Sequence, residues 1–278
     1  MVTQVQRQMV QANGTELYTE VRGSGPTVLF ISGATGDGGH FERVAEALAG
    51  EFTTIIYDRR GNSRSPRPAG WAATSTDEQA DDAAALLQAL GLGPAAMFAT
   101  SGGGVIGLNL LLRHPQAVRG AIIHEPALLA VLPDPQAVFA HIQPIVEKGM
   151  AKNGPRGGVE AFVRTVAGDA VFEGLPPELR ERMLNNGETL FQIEFGVLES
   201  YRPGDAELAA IGCPVEVMVG TESLPFLVDT SRWLAAAVNT PLRTLPGGHA
   251  PYFDRPEAMA RELRPYLEYY EMTESGAG

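Results

Sequence analysis

Residues 95–107 read AAMFATSGGGVIG, and the rest of the chain is organised around them. The apolar run before Ser101 is long enough for a buried strand, and the apolar residues after the glycines predict a buried helix that ends near Arg113. A strand, a serine, glycines and a helix in this order are typical of a nucleophile elbow. Such a turn needs small residues two positions before and after the serine, which here are Ala99 and Gly103. The alternative is a glycine-rich helix start with an incidental serine.

The runs around this stretch predict an α/β fold with a mostly parallel central sheet and helices on both faces. Asn13 and Gly14 separate two alternating runs, which predicts a hairpin. Apolar runs predict further strands at 27–31, 53–57, 120–126, 214–220 and 241–245. Helical spacing predicts helices at 41–49, 76–90, 228–238 and 256–270. The tail, 273–278, is expected to be disordered.

The pattern changes between residues 127 and 206, where no strand is predicted and helical stretches are predicted at 135–148, 158–166 and 177–201. We interpret 127–206 as a helical cap, or lid, inserted into a core domain formed by 1–126 and 207–278. Phe191 and Phe195 lie one helical turn apart in the last of these stretches. They either pack the cap onto the core or contact a ligand, and a lid that covers a site does both.

Composition excludes several classes of protein. With a net charge of −12, the 278-residue chain lacks the basic face that nucleic-acid binding needs. No apolar run approaches the roughly 18 residues of a membrane span, and the first residues do not predict a signal peptide. Cys213 is the single cysteine, so no intrachain disulfide forms, and packing is its expected role. We therefore expect a cytoplasmic protein, a monomer or homodimer, with no membrane partner.

Three chemically distinct side chains follow strands at the same predicted sheet edge: Ser101, Glu125 and His249. A serine hydroxyl needs a base to take its proton, and an imidazole titrates in the right range. A carboxylate is then needed to fix the imidazole tautomer and to stabilise the imidazolium. The sequence thus predicts Ser101 as nucleophile, His249 as base and Glu125 as the acid that orients it. No His, Cys or carboxylate spacing indicates a metal or a cofactor.

A second glycine-rich loop, 32–40, follows the strand predicted at 27–31. It lacks the Lys-Ser/Thr ending of a phosphate-binding loop, which disfavours that interpretation. An amide at Gly33 or Ala34 is instead expected to join the amide of Gly102 in an oxyanion hole. His40 is expected to be a loop or cap histidine and not a base.

The elbow, the polar turn at 58–65 and the Gly-Gly-His at 247–249 together resemble the α/β-hydrolase superfamily over nearly the whole chain. More narrowly, the segments 124–126, 219–223 and 247–252 are similar to the fungal zearalenone lactonases and related bacterial hydrolases. In that group the acid follows the strand after the elbow, which implies Glu125. Most superfamily members place the acid after the penultimate strand, where this chain has Glu222 and Ser223, so Glu222 is the fallback. Ser32 replaces the usual histidine of the oxyanion loop, and only the backbone role of Gly33 carries over.

The resemblance implies a serine hydrolase that cleaves a carboxylic ester or lactone through an acyl-enzyme, with a zearalenone-type macrolactone as one candidate. Two alternatives stay open, a small-molecule receptor on the same fold and a carbon–carbon bond hydrolase.

Overall fold

The computed structural model describes residues 4–275, apart from the side chains at 198, 199 and 273–275. In this part of the chain eight strands form one sheet: β1 Val5–Ala12, β2 Thr15–Arg22, β3 Thr27–Ile31, β4 Thr53–Tyr57, β5 Ala95–Thr100, β6 Val118–His124, β7 Val215–Gly220 and β8 Leu242–Leu245. Their order is β1-β2-β4-β3-β5-β6-β7-β8. Strand β2 is antiparallel to both its neighbours, and the other pairs are parallel. The predicted fold class is confirmed.

Helices connect the strands and cover the sheet on both faces. Their bounds are α1 Glu42–Leu48, α2 Thr76–Leu90, α3 Gly102–Arg113, α4 Pro135–Ala167, α5 Asp169–Gly174, α6 Pro177–Asn185, α7 Gly187–Thr189, α8 Phe195–Ser200, α9 Asp205–Ala209, α10 Pro225–Ala237, α11 Pro251–Asp254 and α12 Pro256–Ser275. Helix α12 extends to Ser275, so the disorder expected of the tail is wrong for residues 273–275, and residues 276–278 lie outside the described residues.

The two faces of the sheet carry separate apolar cores, because successive side chains of a strand point to opposite sides. On β3, Leu29 and Ile31 pack with α2, α3 and α10, whereas Val28 and Phe30 pack with α1 and α12. Cys213 is half-buried against the first of these cores. The hairpin between β1 and β2 turns at Asn13 and Gly14, whose φ angles of 46° and 72° suit a two-residue turn.

Residues 127–206 contain helices α4 to α8, with part of α9, and a third apolar core of their own. Helix α4 is broken at Asn153 and Gly154, where the φ angles are −148° and +57°. The single helix expected over 177–201 is wrong. Helix α6 ends at Asn185, and a π-helical turn, Leu190–Glu194, separates α7 from α8. The side chain of Asn186 donates to the carbonyl of Thr35 at 2.6 Å, which ties the break to a loop of the core.

Candidate active site

Ser101 lies in a sharp turn between β5 and α3. Its φ and ψ of 55° and −128° are strained for a residue with a side chain. Its amide donates to the carbonyl of His124 on the neighbouring strand, at 3.0 Å. A Cβ at Gly103 would lie only 2.4 Å from the carbonyl oxygen of Ile31, so α3 approaches β3 this closely only with glycine there. The turn thus has the backbone geometry that the elbow motif predicts.

Ala99 occupies a position where the elbow pattern usually has glycine. Its methyl packs against Gly107 on α3. A Cβ at position 107 would lie only 2.8 Å from the Cβ of Ala99. In the usual pattern, glycine at position 99 makes room between the strand and the helix. Here the missing side chain of Gly107 makes that room instead. This exchange explains why the departure from the pattern does not disturb the turn.

Glu125 and His249 are in direct contact. Nδ1 of His249 donates to Oε2 of Glu125 across 2.5 Å. Glu125 directly follows β6 and has a backbone φ of 45°, and its side chain is fully buried. Its other oxygen, Oε1, accepts the amide of Gly220 at 2.6 Å and the hydroxyl of Ser223. Burial alone would raise the pKa of Glu125, but the imidazoles of His124 and His249 and the Ser223 hydroxyl outweigh it and lower that pKa to about 2. The group is therefore a carboxylate at neutral pH.

Glu222, the fallback acid, does not take part in this contact. Its side chain is 67% exposed and faces Arg255, with 3.6 Å between Oε1 and Nη2. Ser223 takes the inward position in this loop, from which it donates to Glu125. The loop after β7 therefore supplies a hydroxyl to the buried carboxylate, and the carboxylate itself comes from β6.

His124 is a second imidazole next to Glu125. It is fully buried, and its Nε2 lies 3.5 Å from Oε1 of Glu125. Its ring stacks on that of His249 with centroids 6.2 Å apart, while Nδ1 hydrogen bonds to the hydroxyl of Thr100 at 2.9 Å. Burial lowers the pKa of His124 to about 4, although the charge of Glu125 opposes this. His124 is therefore neutral at neutral pH. It does not line either of the cavities that His249 lines.

Two cavities meet at Ser101 and His249. The first is walled by Gly102 and by apolar side chains of the core and the cap, which are Ala34, Ala127, Leu129, Ile142, Phe162, Val166, Leu190, Phe195, Phe226 and Leu227. The second continues past Gly33 to His40, Tyr252 and Phe253. His249 is the one titratable group lining the first cavity, as far as the described residues go.

Gly33 lies directly beside the serine. A Cβ at this position would be 2.7 Å from the Cβ and 3.3 Å from the Oγ of Ser101. Gly102 begins α3, so its amide lies at the positive end of the helix dipole. The two backbone positions that the sequence predicts for an oxyanion hole thus flank Ser101. His40 lies in a short 3₁₀ helix, Gly38–Phe41, is buried and stacks on Tyr252, and its Nε2 lies 3.3 Å from the hydroxyl of Thr35.

Asp58 holds the loop 32–40 in place from the polar turn at 58–65. Its carboxylate accepts the amide of Gly38 at 2.8 Å and a pair of hydrogen bonds from the guanidinium of Arg64.

Among residues 4–275, apart from the side chains not described, no three His, Cys, Asp or Glu side chains are grouped to hold a metal ion. No helix in that range is long and apolar enough to span a membrane.

A family model described as the alpha/beta hydrolase fold matches residues 26–168, just over half of the chain. The chain belongs to the α/β-hydrolase family. The uncharacterized hydrolase YraK of Bacillus subtilis (strain 168) is 42% identical to it over 123 residues. That match covers 44% of this chain and 45% of YraK, so it spans less than half the length of the relative.

Two longer similarities agree with this membership. A zearalenone hydrolase from Cladophialophora bantiana is 25% identical over 261 residues, which cover 90% of this chain and 91% of that protein. The structure of a thermophilic esterase from Thermogutta terrifontis superposes with a TM-score of 0.73 at 23% identity, over 95% of this chain and 99% of the esterase. The second similarity concerns the fold alone.

Sequence reasoning missed two features of this α/β hydrolase. One is His124, which immediately precedes Glu125. Its side chain points towards Glu125 because successive side chains of β6 alternate between the two faces of the sheet, and β6 ends at His124. Arg59 and Glu194 form a buried ion pair, yet they are 135 residues apart and Glu194 sits in the unpredicted π-helical turn. The only signal in the sequence was a charged residue in the mostly apolar segment 190–195.

Proposed function

We propose that this α/β hydrolase cleaves a carboxylic ester or lactone through an acyl-enzyme on Ser101. The observation that carries the proposal is the short contact between Nδ1 of His249 and the buried carboxylate of Glu125, in a site where His249 and the strained Ser101 line the same cavities. A carboxylate on Nδ1 leaves Nε2 of the imidazole free to accept the serine proton.

In the proposed reaction, Oγ of Ser101 attacks the substrate carbonyl while Nε2 of His249 takes its proton. The amide of Gly102 and that of Gly33 or its neighbour Ala34 hold the oxyanion. His249 then gives the proton to the departing alkoxide, and a water molecule, deprotonated by the same imidazole, hydrolyses the acyl-enzyme. Glu125 stays ionised throughout and stabilises the imidazolium, and the chemistry needs no cofactor.

The cavity lining favours a neutral, largely apolar substrate, because a charged group would lose its hydration there with no ion to replace it. Two cavities that meet at Ser101 offer separate space for the acyl part and the alcohol part. In a macrolactone these parts are joined in one ring, and the zearalenone hydrolase among the relatives makes such a ring the first substrate to test. We propose that the segment 127–206 acts as the lid that supplies the apolar wall.

Labelling with a fluorophosphonate and turnover of p-nitrophenyl esters and a resorcylic macrolactone test this function. We expect the reagent to modify Ser101 and to fail on a His249→Ala variant, because an ordinary serine without a base reacts poorly. Ser101→Ala should lose roughly 10⁶-fold in kcat, the cost of removing a triad nucleophile.

Near wild-type turnover by folded Ser101→Ala, or equal labelling of His249→Ala, would contradict the proposal. Tight binding of the macrolactone with no turnover would favour a receptor. Cleavage of a vinylogous diketone, but of no ester, would favour the carbon–carbon bond hydrolase.

A further inference from the structure

Arg59 and Glu194 form an ion pair that is completely buried between the core and the cap. Nη1 of Arg59 lies 2.6 Å from Oε1 of Glu194, Nη2 lies 2.9 Å from Oε2, and both side chains are 0% exposed. Oε1 also accepts the side-chain amide of Asn62 at 2.9 Å. The pair is therefore bidentate, and its geometry is fixed from both sides.

The same guanidinium also contacts the loop that carries Gly33. Nε of Arg59 donates to the carbonyl of Ser32 at 3.1 Å, and Nη2 donates to the carbonyl of Gly33 at 2.9 Å. A peptide unit is planar and trans, so its N–H points away from its C=O. The carbonyl of Ser32 shares a peptide plane with the amide of Gly33, and the carbonyl of Gly33 shares one with the amide of Ala34. Arg59 thus orients both amides that are candidates for the second oxyanion donor.

Glu194 links this arrangement to the wall of the first cavity. It is the last residue of the π-helical turn, which begins at Leu190, and Phe195 follows it directly. Both Leu190 and Phe195 line the cavity. The cap segment that contacts the proposed substrate therefore also carries the counter-ion of the arginine behind the oxyanion loop.

We propose that Arg59 and Glu194 are positioning residues for the oxyanion hole. Glu194 fixes the guanidinium, and the guanidinium aims the amides at Gly33 and Ala34 towards Ser101. This inference rests on the proposed function, since it assigns a purpose within that reaction. Stability alone is a weak reason for such a pair, because apolar residues of similar volume often serve a protein core as well or better.

The neighbouring residue offers a matched control. Arg60 makes a second buried bidentate pair, with Asp82 of α2, in which Nε lies 2.8 Å from Oδ2. The guanidinium also donates to the carbonyl of Asn13 in the hairpin, at 2.9 Å, and its Nη1 lies 3.4 Å from Oε1 of Glu78 on α2. Asp82→Asn therefore removes one charge from a buried arginine pair, as Glu194→Gln does, but in a pair whose contacts lie in α2 and the hairpin.

The experiment compares kcat and KM of Glu194→Gln, Arg59→Lys and Asp82→Asn on p-nitrophenyl butanoate, together with their melting temperatures. It also compares inhibition by an alkyl trifluoromethyl ketone with inhibition by the matching methyl ketone. The trifluoromethyl ketone forms a tetrahedral oxyanion on the serine, so its advantage over the methyl ketone reports on the oxyanion hole. Lysine keeps the charge of Arg59 but not its planar fork, and cannot hold both carbonyls and the glutamate.

We expect Glu194→Gln and Arg59→Lys to lower kcat by about ten- to a hundredfold, somewhat less than the loss of a whole oxyanion donor, with KM little changed. The preference for the trifluoromethyl ketone should fall with kcat. Asp82→Asn should lose a comparable amount of thermal stability and keep both kcat and the ketone preference.

Equal effects of Glu194→Gln and Asp82→Asn on kcat would overturn the inference, as would an unchanged ketone preference in Glu194→Gln. If Glu194→Gln does not fold, Arg59→Lys decides by the same two readouts. Absence of turnover and labelling in the wild-type protein would remove the proposed function and this inference together. An active wild type with unaffected Arg59→Lys and Glu194→Gln would remove the inference alone.

Discussion

The two halves of the site are held in different ways. The polar half comes from the core, where Ser101, Glu125 and His249 follow strands of one sheet and are fixed by hydrogen bonds to backbone and neighbouring side chains. The apolar half comes largely from the cap, where Phe162 and Phe195 are held by packing in a separate apolar core. Hydrogen bonds fix atoms to within tenths of an ångström, whereas packed side chains admit other sizes. We therefore expect substitutions in the polar half to change the rate on every substrate, and those in the apolar half to change the choice of substrate.

The largest effect within this comparison concerns the two carboxylates near His249. Glu125→Gln keeps an oxygen for Gly220 and Ser223 but places an amide opposite Nδ1, which favours the wrong imidazole tautomer. We expect a loss on the order of 10³-fold or more in kcat, since the corresponding change in a studied triad cost about 10⁴-fold. Glu222→Gln, on an exposed side chain, should lose less than about tenfold on the scale of that example.

Both variants are measured on one ester at one pH, and then on a second ester with a different acyl chain. The loss in Glu125→Gln should be the same for both esters, because the carboxylate acts through the imidazole. A crippled Glu222→Gln would place the acid after β7 after all. A loss in Glu125→Gln that depends strongly on the acyl chain would break the division between the two halves.

The next effect concerns the dependence of stability on pH and comes from two buried histidines that adjoin the polar half, His40 and His124. Burial, with Arg59 and Arg182 nearby, lowers the pKa of His40 to about 4, and burial does the same for His124. Below pH 6.5 these histidines are protonated in the unfolded chain, but in the native protein they stay neutral down to about pH 4. The free energy of unfolding therefore falls as the pH falls. Over that interval each histidine costs roughly 3 kcal/mol, at about 1.4 kcal/mol per pKa unit. Glu125, with its lowered pKa, continues the loss below pH 4.5 in the same direction.

Urea denaturation between pH 7 and pH 5 measures this dependence. His40→Gln and His124→Gln should each flatten the slope, even where they lower the stability at pH 7. The control is His141→Gln on α4 of the cap, because His141 is exposed and keeps its hydration on folding. A slope that His141→Gln changes as much as the buried substitutions do would contradict the assignment to His40 and His124.

The polar half was accessible from the sequence because each of its members is a local signal at a strand end. The elbow glycines, the Glu-Pro after β6 and the Gly-Gly-His after β8 each lie within a few residues of a buried apolar run. Parallel strands bring their carboxyl ends to one edge, so local signals become a shared site without knowledge of distant contacts. The choice between Glu125 and Glu222 was the exception, and it depended on resemblance.

The cap was less accessible because its shape depends on contacts with distant loops. Helical spacing predicted a single helix over 177–201, but the side chain of Asn186 donates to the carbonyl of Thr35 and accepts the amide of Ser63, both in core loops. These contacts end α6 and lead into the π-helical turn that carries Glu194. No periodicity in the segment encodes them, since side chains that bind a neighbouring loop follow the neighbour's geometry. For the same reason, the sequence could not show which of Phe191 and Phe195 packs within the cap and which contacts a ligand.

The structure separates these two phenylalanines, and the smallest predicted effect tests that separation. Phe195 lines the first cavity and meets Phe162 edge to face, with ring centroids 5.5 Å apart. Phe191 is not among the lining residues, and its ring lies over Gly158, where an added Cβ would be 2.9 Å from it. Phe195→Ala should therefore shift the kcat/KM ratio of a long-chain over a short-chain p-nitrophenyl ester by about tenfold, the scale of a small size change in an apolar pocket. Phe191→Ala should lower the melting temperature and leave that ratio unchanged, because it removes packing within the cap and no wall of the cavity. If both variants shift the ratio equally, in proportion to lost stability, the apolar half acts through the fold of the cap and not through contact with the substrate.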